Sequence, residues 1–371
     1  MSALNILIKP ASSLCNMRCK YCFYRDVAAN RSNASFGIMS EETAHAFLKN
    51  VFSYADAPVS FTFQGGEPTL AGEKFFETFH SLVEKYNIRR LPISFSLQTN
   101  GYEISEELCA IFSKYHYLLG VSLDGDEEMH NSLRPFSDGS PTYEKINSTL
   151  ELFDRYKIDY NILTVITEDV AKRGAEVYKH LRDRGFSFLQ FIPYVPDFSC
   201  KDENQPFSLS IESYAYFLTE TFAEYHRDFI RGKYVSVRQF DNFVRIAAGL
   251  PAECCGMGGS CVASLVVESD GSVYPCDFYV LDEWKMGNIT QDPIDKLLSS
   301  EAAKKFVQSS RVFFGECREC PYFPVCRGGC RRHREEFFGK IQGNRYCGAY
   351  KYFFNKSIEL IFDIAKRIGK N

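Results

Sequence analysis

The chain has 371 residues, 45% hydrophobic and 24% charged, enough to bury one large core and a second, smaller module. Its net charge of -4 arises from 47 acids against 43 bases without long runs of either sign, so neither nucleic acid nor an anionic membrane is expected as partner. No segment reaches the roughly 18 to 20 apolar residues of a membrane helix, and the opening MSALNILIKPASS is broken too early by Lys9 and Pro10 for a secretory h-region, so a cytoplasmic protein is expected.

In chain order, short β-rich apolar runs near 4–9, 59–64, 92–97, 118–123, 158–165 and 187–191 alternate with segments of helical period, the pattern of βα units around a parallel sheet. Ser40 is placed to cap a helix with Glu41 and Glu42 in its first turn, and 143–156 and 170–184 have amphipathic spacing. Six such units predict an α/β fold, a partial (β/α)6 barrel rather than a closed eight-fold one. Residues 210–248 read as two aromatic-rich helices, and near 250 the composition changes to cysteine, glycine and turn residues. The division expected is 1–235 for the barrel and 236–371 for a cysteine-rich C-terminal domain. Within the latter, 263–267 and 272–274 flank Asp270-Gly271 as a hairpin, and helices are predicted near 294–308 and 345–368.

The polar residues that stand out follow the predicted strands: Cys15, Cys19 and Cys22 after the first, Gln64-Gly65-Gly66-Glu67-Pro68 after the second, Gln98-Thr99-Asn100 after the third, Ser122 and Asp124 after the fourth. In βα architectures that is the functional rim. The 14 cysteines, without an export signal, point to metal or redox chemistry rather than disulfides. Cys15, Cys19 and Cys22 form C-x3-C-x2-C: three thiolates on one loop can hold three irons of a 4Fe-4S cluster and leave the fourth open. A structural zinc site is the competing reading, but it wants four closed ligands. Eight more cysteines, Cys255, Cys261, Cys276, Cys317, Cys320, Cys326, Cys330 and Cys347, suffice for two further clusters or two zinc sites, and spacing alone does not divide them. Cys109, Cys200 and Cys254 are left over; Cys254, beside Cys255, is a competing ligand. Arg331-Arg332-His333 forms a basic patch of unassigned role.

C-x3-C-x2-C after the first strand, followed by Gly65-Gly66-Glu67-Pro68 after the second, resembles the radical S-adenosylmethionine enzymes. The resemblance implies that S-adenosyl-L-methionine chelates the open iron and is cleaved by one electron to methionine and a 5′-deoxyadenosyl radical. It places Tyr21, Gly66, Ser122, Arg134 and Val195 where the family contacts that cofactor. Cys317, Cys320, Cys326, Cys330 and Cys347 resemble the SPASM extension of peptide-modifying members. That resemblance implies Cys255, Cys261, Cys276 and Cys330 for one cluster and Cys317, Cys320, Cys326 and Cys347 for the other, making three 4Fe-4S clusters in all.

The stretch 267–279, with Tyr274-Pro275-Cys276-Asp277, is similar to the anaerobic sulfatase-maturating enzymes, as are Lys9-Pro10-Ala11-Ser12-Ser13, 63–72 and 96–101. This implies oxidation of a cysteine, or in some members a serine, to Cα-formylglycine in a Cys/Ser-x-Pro-x-Arg segment of an unfolded sulfatase. Asp277 is then the catalytic base, and an auxiliary cluster takes the remaining electron. Tyr24, Gln64 and Gln98 are the candidates for binding the peptide. A low-potential flavodoxin or ferredoxin is the implied electron donor, and a monomer is expected. The rival readings are a SPASM enzyme that crosslinks or epimerises a ribosomal peptide, which lacks the Asp277 context, and an iron-sulfur electron carrier, which needs no open iron.

Overall fold

The computed structural model describes residues 3–198, 207–311, 315–336, 340–341 and 343–368; Cys200 lies outside them. The chain packs as two compact units, each discontinuous in sequence: 1–122, 134–160 and 262–308 in the first, and 123–133, 161–261 and 309–371 in the second.

The strands are β1 (Leu4–Ile8), β2 (Val59–Phe63), β3 (Ile93–Thr99), β4 (Leu118–Ser122), β5 (Asp159–Ile166), β6 (Phe188–Pro193), β7 (Ser236–Val237), β8 (Leu265–Val267), β9 (Ser272–Tyr274) and β10 (Gly287–Asn288). All six strands predicted for the α/β part are present. In the first unit β1 to β4 pair in parallel and in sequence order, with Ile6 opposite Phe61 and Phe61 opposite Phe95. Alternate residues of these strands, Ile6, Ile8, Phe61, Phe63, Leu97, Leu119 and Val121, are buried. Helices Glu41–Tyr54 and Glu73–Tyr86 cover one face, where Phe47, Phe61, Phe63, Phe76 and Phe79 meet edge to face. Each such ring contributes roughly 1.5–3 kcal/mol by burial. Ser40 caps the first of these helices as its sequence implies, Oγ accepting from the Thr43 amide at 3.1 Å.

The predicted hairpin is β8–β9, turning through Gly271 at φ 84°. It docks on the free edge of β1, β8 running parallel to it with Ile6 opposite Leu265, so a segment late in the sequence completes the first sheet. A buried ion pair holds it there: Arg31 Nη1 lies 2.7 Å from Glu268 Oε1, with both side chains almost fully buried.

In the second unit β5, β6 and β7 are parallel. The two expected aromatic helices are Ile211–Ile230 and Arg238–Ala247, separated by β7, a two-residue strand too short to be read from the sequence. Both pack on helix Cys347–Ile368 through Phe222, Phe240, Phe243 and Phe353. The helix predicted over 170–184 is broken into Glu168–Lys172 and Gly174–Asp183. Gly174 stands where a Cβ would fall 2.3 Å from the Phe217 ring, so this helix start is packed hard against Ile211–Ile230. The predicted 294–308 helix likewise divides, at Ser299 and Ser300, into Ile294–Leu298 and Glu301–Ser309. Among the described residues no helix is long and apolar enough to cross a membrane.

Candidate active site

In the first unit Cys15, Cys19, Tyr21, Cys22 and Tyr24 follow β1, and Gln64 and Gly66 follow β2. The loop after β1 leaves through Ser12, whose φ of 51° is stabilised by its Oγ, which accepts from Arg31 Nη2 at 3.2 Å and from the Phe36 amide at 3.1 Å. Cys15, Cys19 and Cys22 follow, and Cys22 precedes helix Phe23–Ala29.

Gly66, at φ 50°, packs on this loop so closely that a Cβ would sit 2.1 Å from the Leu14 carbonyl oxygen. The same carbonyl accepts from the Glu67 amide at 2.7 Å. Glycine is therefore required here to bring the second loop against the backbone beside Cys15. The next residue, Glu67, is buried, and its carboxylate accepts from the Thr69 amide (3.2 Å), the Thr69 and Thr99 hydroxyls (2.8 Å each) and the Asn100 amide (2.7 Å). Burial pushes its pKa above the ordinary carboxylate value, while these donors pull it back down. One carboxylate thus ties the loop after β2 to the end of β3.

Around Cys15 the donors are the Met17 amide, 3.4 Å from Sγ, and Asn100 Nδ2, 3.7 Å from it. Without a cluster, burial and then the Glu67 charge push the Cys15 thiol up to about 11. Cys15 is exposed to an incoming group, and N–H donors at its sulfur favour the charged thiolate that binds iron, so the residues present fit a cluster. Arg134 donates from Nη1 to Tyr21 Oη at 2.7 Å, which brings together two of the residues expected at S-adenosylmethionine. Ser122 ends β4, half-buried. Val195 belongs to the second unit, buried in the segment after β6.

Beyond β9 the chain turns at Cys276 into a short helical turn, Asp277–Tyr279, whose Phe278 ring lies 4.7 Å from that of Phe23. Asp277 is gripped by three side chains. Tyr24 donates from its hydroxyl to Oδ2 at 2.6 Å, Gln64 Nε2 donates to the same oxygen at 3.2 Å and to Tyr24 Oη at 2.6 Å, and Lys9 Nζ donates to Oδ1 at 3.2 Å. Lys9 is buried, and its ammonium also sits 4.2 Å above the Tyr24 ring. Burial and the neighbouring Asp277 push the Tyr24 phenol well above its ordinary range, so it stays a hydrogen-bond donor. Gln98 is half-buried on β3 and is not part of this hydrogen-bonded group.

Lys9, Glu67 and Asn100 received no role from the sequence. The available signals were positional: each stands at or just past the end of a parallel strand, where a βα fold keeps its chemistry.

In the second unit Cys317, Cys320, Cys326 and Cys347 line one cavity of about 310 Å3. A water's share of liquid is about 30 Å3, so the space suits a multi-atom group. Arg327, Gly328 and Gly329, all with positive φ, turn the chain from Cys326 toward Cys330. Asn344 secures that turn, Nδ2 donating to the Gly328 carbonyl at 3.0 Å. Among the described residues no three His, Cys, Asp or Glu side chains converge on a single metal ion. Burial pushes the Cys330 thiol up to about 12, and the neighbouring Cys255 and Cys261 add to it. Cys254 instead accepts from Asn242 Nδ2 at 3.5 Å. Cys276 lies in the first unit, beside Asp277. Cys109 is a core thiol of helix Glu106–Lys114, fully buried and pushed up to about 12, chiefly by burial.

Residues 10–181 match the radical SAM superfamily and residues 255–321 an iron-sulfur cluster-binding domain, SPASM. The chain is 40% identical over 370 residues to a cysteine-type anaerobic sulfatase-maturating enzyme of Clostridium novyi, covering 100% of this chain and 99% of that one. It is 27% identical over 354 residues to a serine-type enzyme of Klebsiella pneumoniae, covering 95% and 86%. The solved structure of native anSMEcpe with bound AdoMet and Cp18Cys peptide superposes with a TM-score of 0.95 at 40% identity, covering 99% of both chains. With such identity over its whole length, the chain belongs to the anaerobic sulfatase-maturating enzymes of the radical SAM superfamily.

Proposed function

We propose that this protein oxidises a cysteine, with serine as a second side chain to be tested, to Cα-formylglycine within a Cys/Ser-x-Pro-x-Arg segment of a sulfatase. The observation that carries the reading is the Asp277 carboxylate held by Lys9, Tyr24 and Gln64 in a chain 40% identical over its whole length to a cysteine-type sulfatase-maturating enzyme.

Cys15, Cys19 and Cys22 would hold the first 4Fe-4S cluster, with Tyr21, Gly66, Ser122 and Arg134 serving S-adenosylmethionine. Cys317, Cys320, Cys326 and Cys347 would hold one auxiliary cluster, and Cys255, Cys261 and Cys330 would be ligands of another. The functional division is 1–235 for radical chemistry and 236–371 for the auxiliary clusters, the second part lending Cys276 and Asp277 to the first compact unit. When bound, these groups supply the acceptors for a hydrogen atom and an electron.

The chain's own residues handle the proton and the geometry. Asp277 accepts the proton of the substrate thiol as its β-carbon is oxidised. Lys9 balances the negative charge of Asp277 before the proton arrives, and Tyr24 and Gln64 aim Oδ2 by donating to it. Gln98 is a candidate contact for the peptide. Water then replaces the sulfur, which leaves as hydrogen sulfide. A low-potential flavodoxin or ferredoxin would supply the reducing electron.

The test is anaerobic incubation of the reconstituted, reduced protein with S-adenosylmethionine and synthetic Cys-x-Pro-x-Arg and Ser-x-Pro-x-Arg peptides, followed by mass spectrometry. The cysteine peptide is expected to exchange its thiol for an aldehyde. Formation of 5′-deoxyadenosine with both peptides unchanged would move the assignment to another peptide-modifying radical chemistry.

A further inference from the structure

The amide of Asn100 has no part in the reaction proposed above, yet it is fixed more tightly than a loop side chain requires. Its backbone N–H donates to the buried Glu67 Oε2 at 2.7 Å, and its Oδ1 accepts from the Tyr102 amide at 2.9 Å. With the oxygen so engaged, Nδ2 is the end that turns to the cysteine loop, donating to Asn16 Oδ1 at 2.8 Å and approaching Cys15 Sγ at 3.7 Å. Asn100 is itself 6% exposed, and the Glu67 carboxylate that anchors it is also engaged by Thr69 and Thr99. The amide is thus aimed at one sulfur by a rigid shell drawn from two strand ends.

We infer that Asn100 is a positioning residue for the first cluster: its Nδ2 donor, braced by the buried Glu67, raises the cluster's reduction potential through the Cys15 sulfur. Reduction adds one negative charge that is spread over the sulfurs, so an N–H dipole aimed at a ligating sulfur stabilises the reduced form more than the oxidised one. This matters because S-adenosylmethionine is cleaved only after the cluster has been reduced, and a higher potential makes a given cellular donor sufficient. The inference rests on Cys15, Cys19 and Cys22 being the ligands of that cluster.

The experiment is a redox titration of the reconstituted holoenzyme, following by electron paramagnetic resonance the reduced-cluster signal that changes on adding S-adenosylmethionine, with iron content measured alongside. In Asn100→Leu the midpoint falls by at least tenfold in the one-electron equilibrium, about 59 mV. Asn100→Asp keeps the shape and the oxygen facing Tyr102, but it replaces the donor by a charge and falls further. A midpoint unchanged in both variants at full iron content overturns the inference. So does loss of iron from both, which would make Asn100 a structural bolt. If the wild-type protein gives no signal responsive to S-adenosylmethionine, the cluster assignment itself fails, an outcome distinct from an unshifted potential.

Discussion

At the scale of single residues, the proton transfer depends on how Asp277 is held. A carboxylate withdrawn from most of its water is costly unless its lone pairs are satisfied, and Lys9, Tyr24 and Gln64 satisfy those of the half-buried Asp277 from positions up to 268 residues away in sequence. Lys9 is itself shaped by its surroundings, since Gly65 leaves the space in which its Cε and Nζ lie; a Cβ there would come within 2.7 Å of both. Replacing Lys9 by Met keeps the length and removes the charge. Peptide oxidation is then expected to fall by about 10²-fold, the scale of a misplaced acid–base group, while S-adenosylmethionine cleavage persists; parallel assays of aldehyde and 5′-deoxyadenosine would measure the split. Asp277 itself was legible only because its neighbours matched a family pattern, since an isolated aspartate in a turn is ordinarily solvated. Lys9 was not legible in that way: a lysine at a strand end reads as a surface residue until its partner from the far end of the chain is in place.

At the scale of elements, the close approach of the loops after β1 and β2 is the decisive feature. Gly66→Ala adds a methyl that collides with the Leu14 backbone at a positive φ, so the cysteine loop must move. A cost of about 1–3 kcal/mol is expected, together with loss of iron from the first cluster, read by iron analysis and by absent 5′-deoxyadenosine. The helix Glu73–Tyr86 carries a second testable element. His80 is buried, stacked on Tyr115 at 3.5 Å and hydrogen-bonded to Tyr117, and burial, aided by Lys114, pulls it down to about 3. Its folded value lies below its unfolded one, so between about pH 6.5 and 3 the unfolded chain binds a proton that the native chain does not. Stability therefore falls as pH falls through that window, by up to about 1.4 kcal/mol per pH unit from this group. In His80→Gln, denaturant midpoints measured between pH 7 and 5 should fall less steeply than in the wild type. The strands were readable because β-branched and aromatic residues recur with turn signals between them. The hairpin's destination was not, because nothing local in 265–274 says which strand edge it will complete; that follows from β1 leaving an edge open and Arg31 waiting for Glu268.

At the scale of the whole molecule, sequence order and spatial order diverge. Asp277 and Cys276 come late in the chain but fold with the first unit, while Cys317, Cys320, Cys326 and Cys347 line a cavity of the second. Eight cysteines were countable from the sequence, but their grouping was not, since spacing permits several divisions. Cys254 is turned to Asn242, whose Nδ2 donates to its sulfur, while Cys255 and Cys261 are the cysteines that neighbour Cys330. Cys347→Ala is expected to lose about four of about twelve irons per chain while leaving the cluster signal responsive to S-adenosylmethionine intact, as iron analysis and electron paramagnetic resonance would record.

The role of Asp277 is tested most directly by the ratio of Cα-formylglycine to 5′-deoxyadenosine formed from a Cys-x-Pro-x-Arg peptide by the wild-type protein and by Asp277→Asn. A ratio near one is expected for the wild type, and in the variant continued 5′-deoxyadenosine formation with formylglycine reduced by about 10²-fold or more. Formylglycine produced by Asp277→Asn at the wild-type rate and ratio would contradict that role.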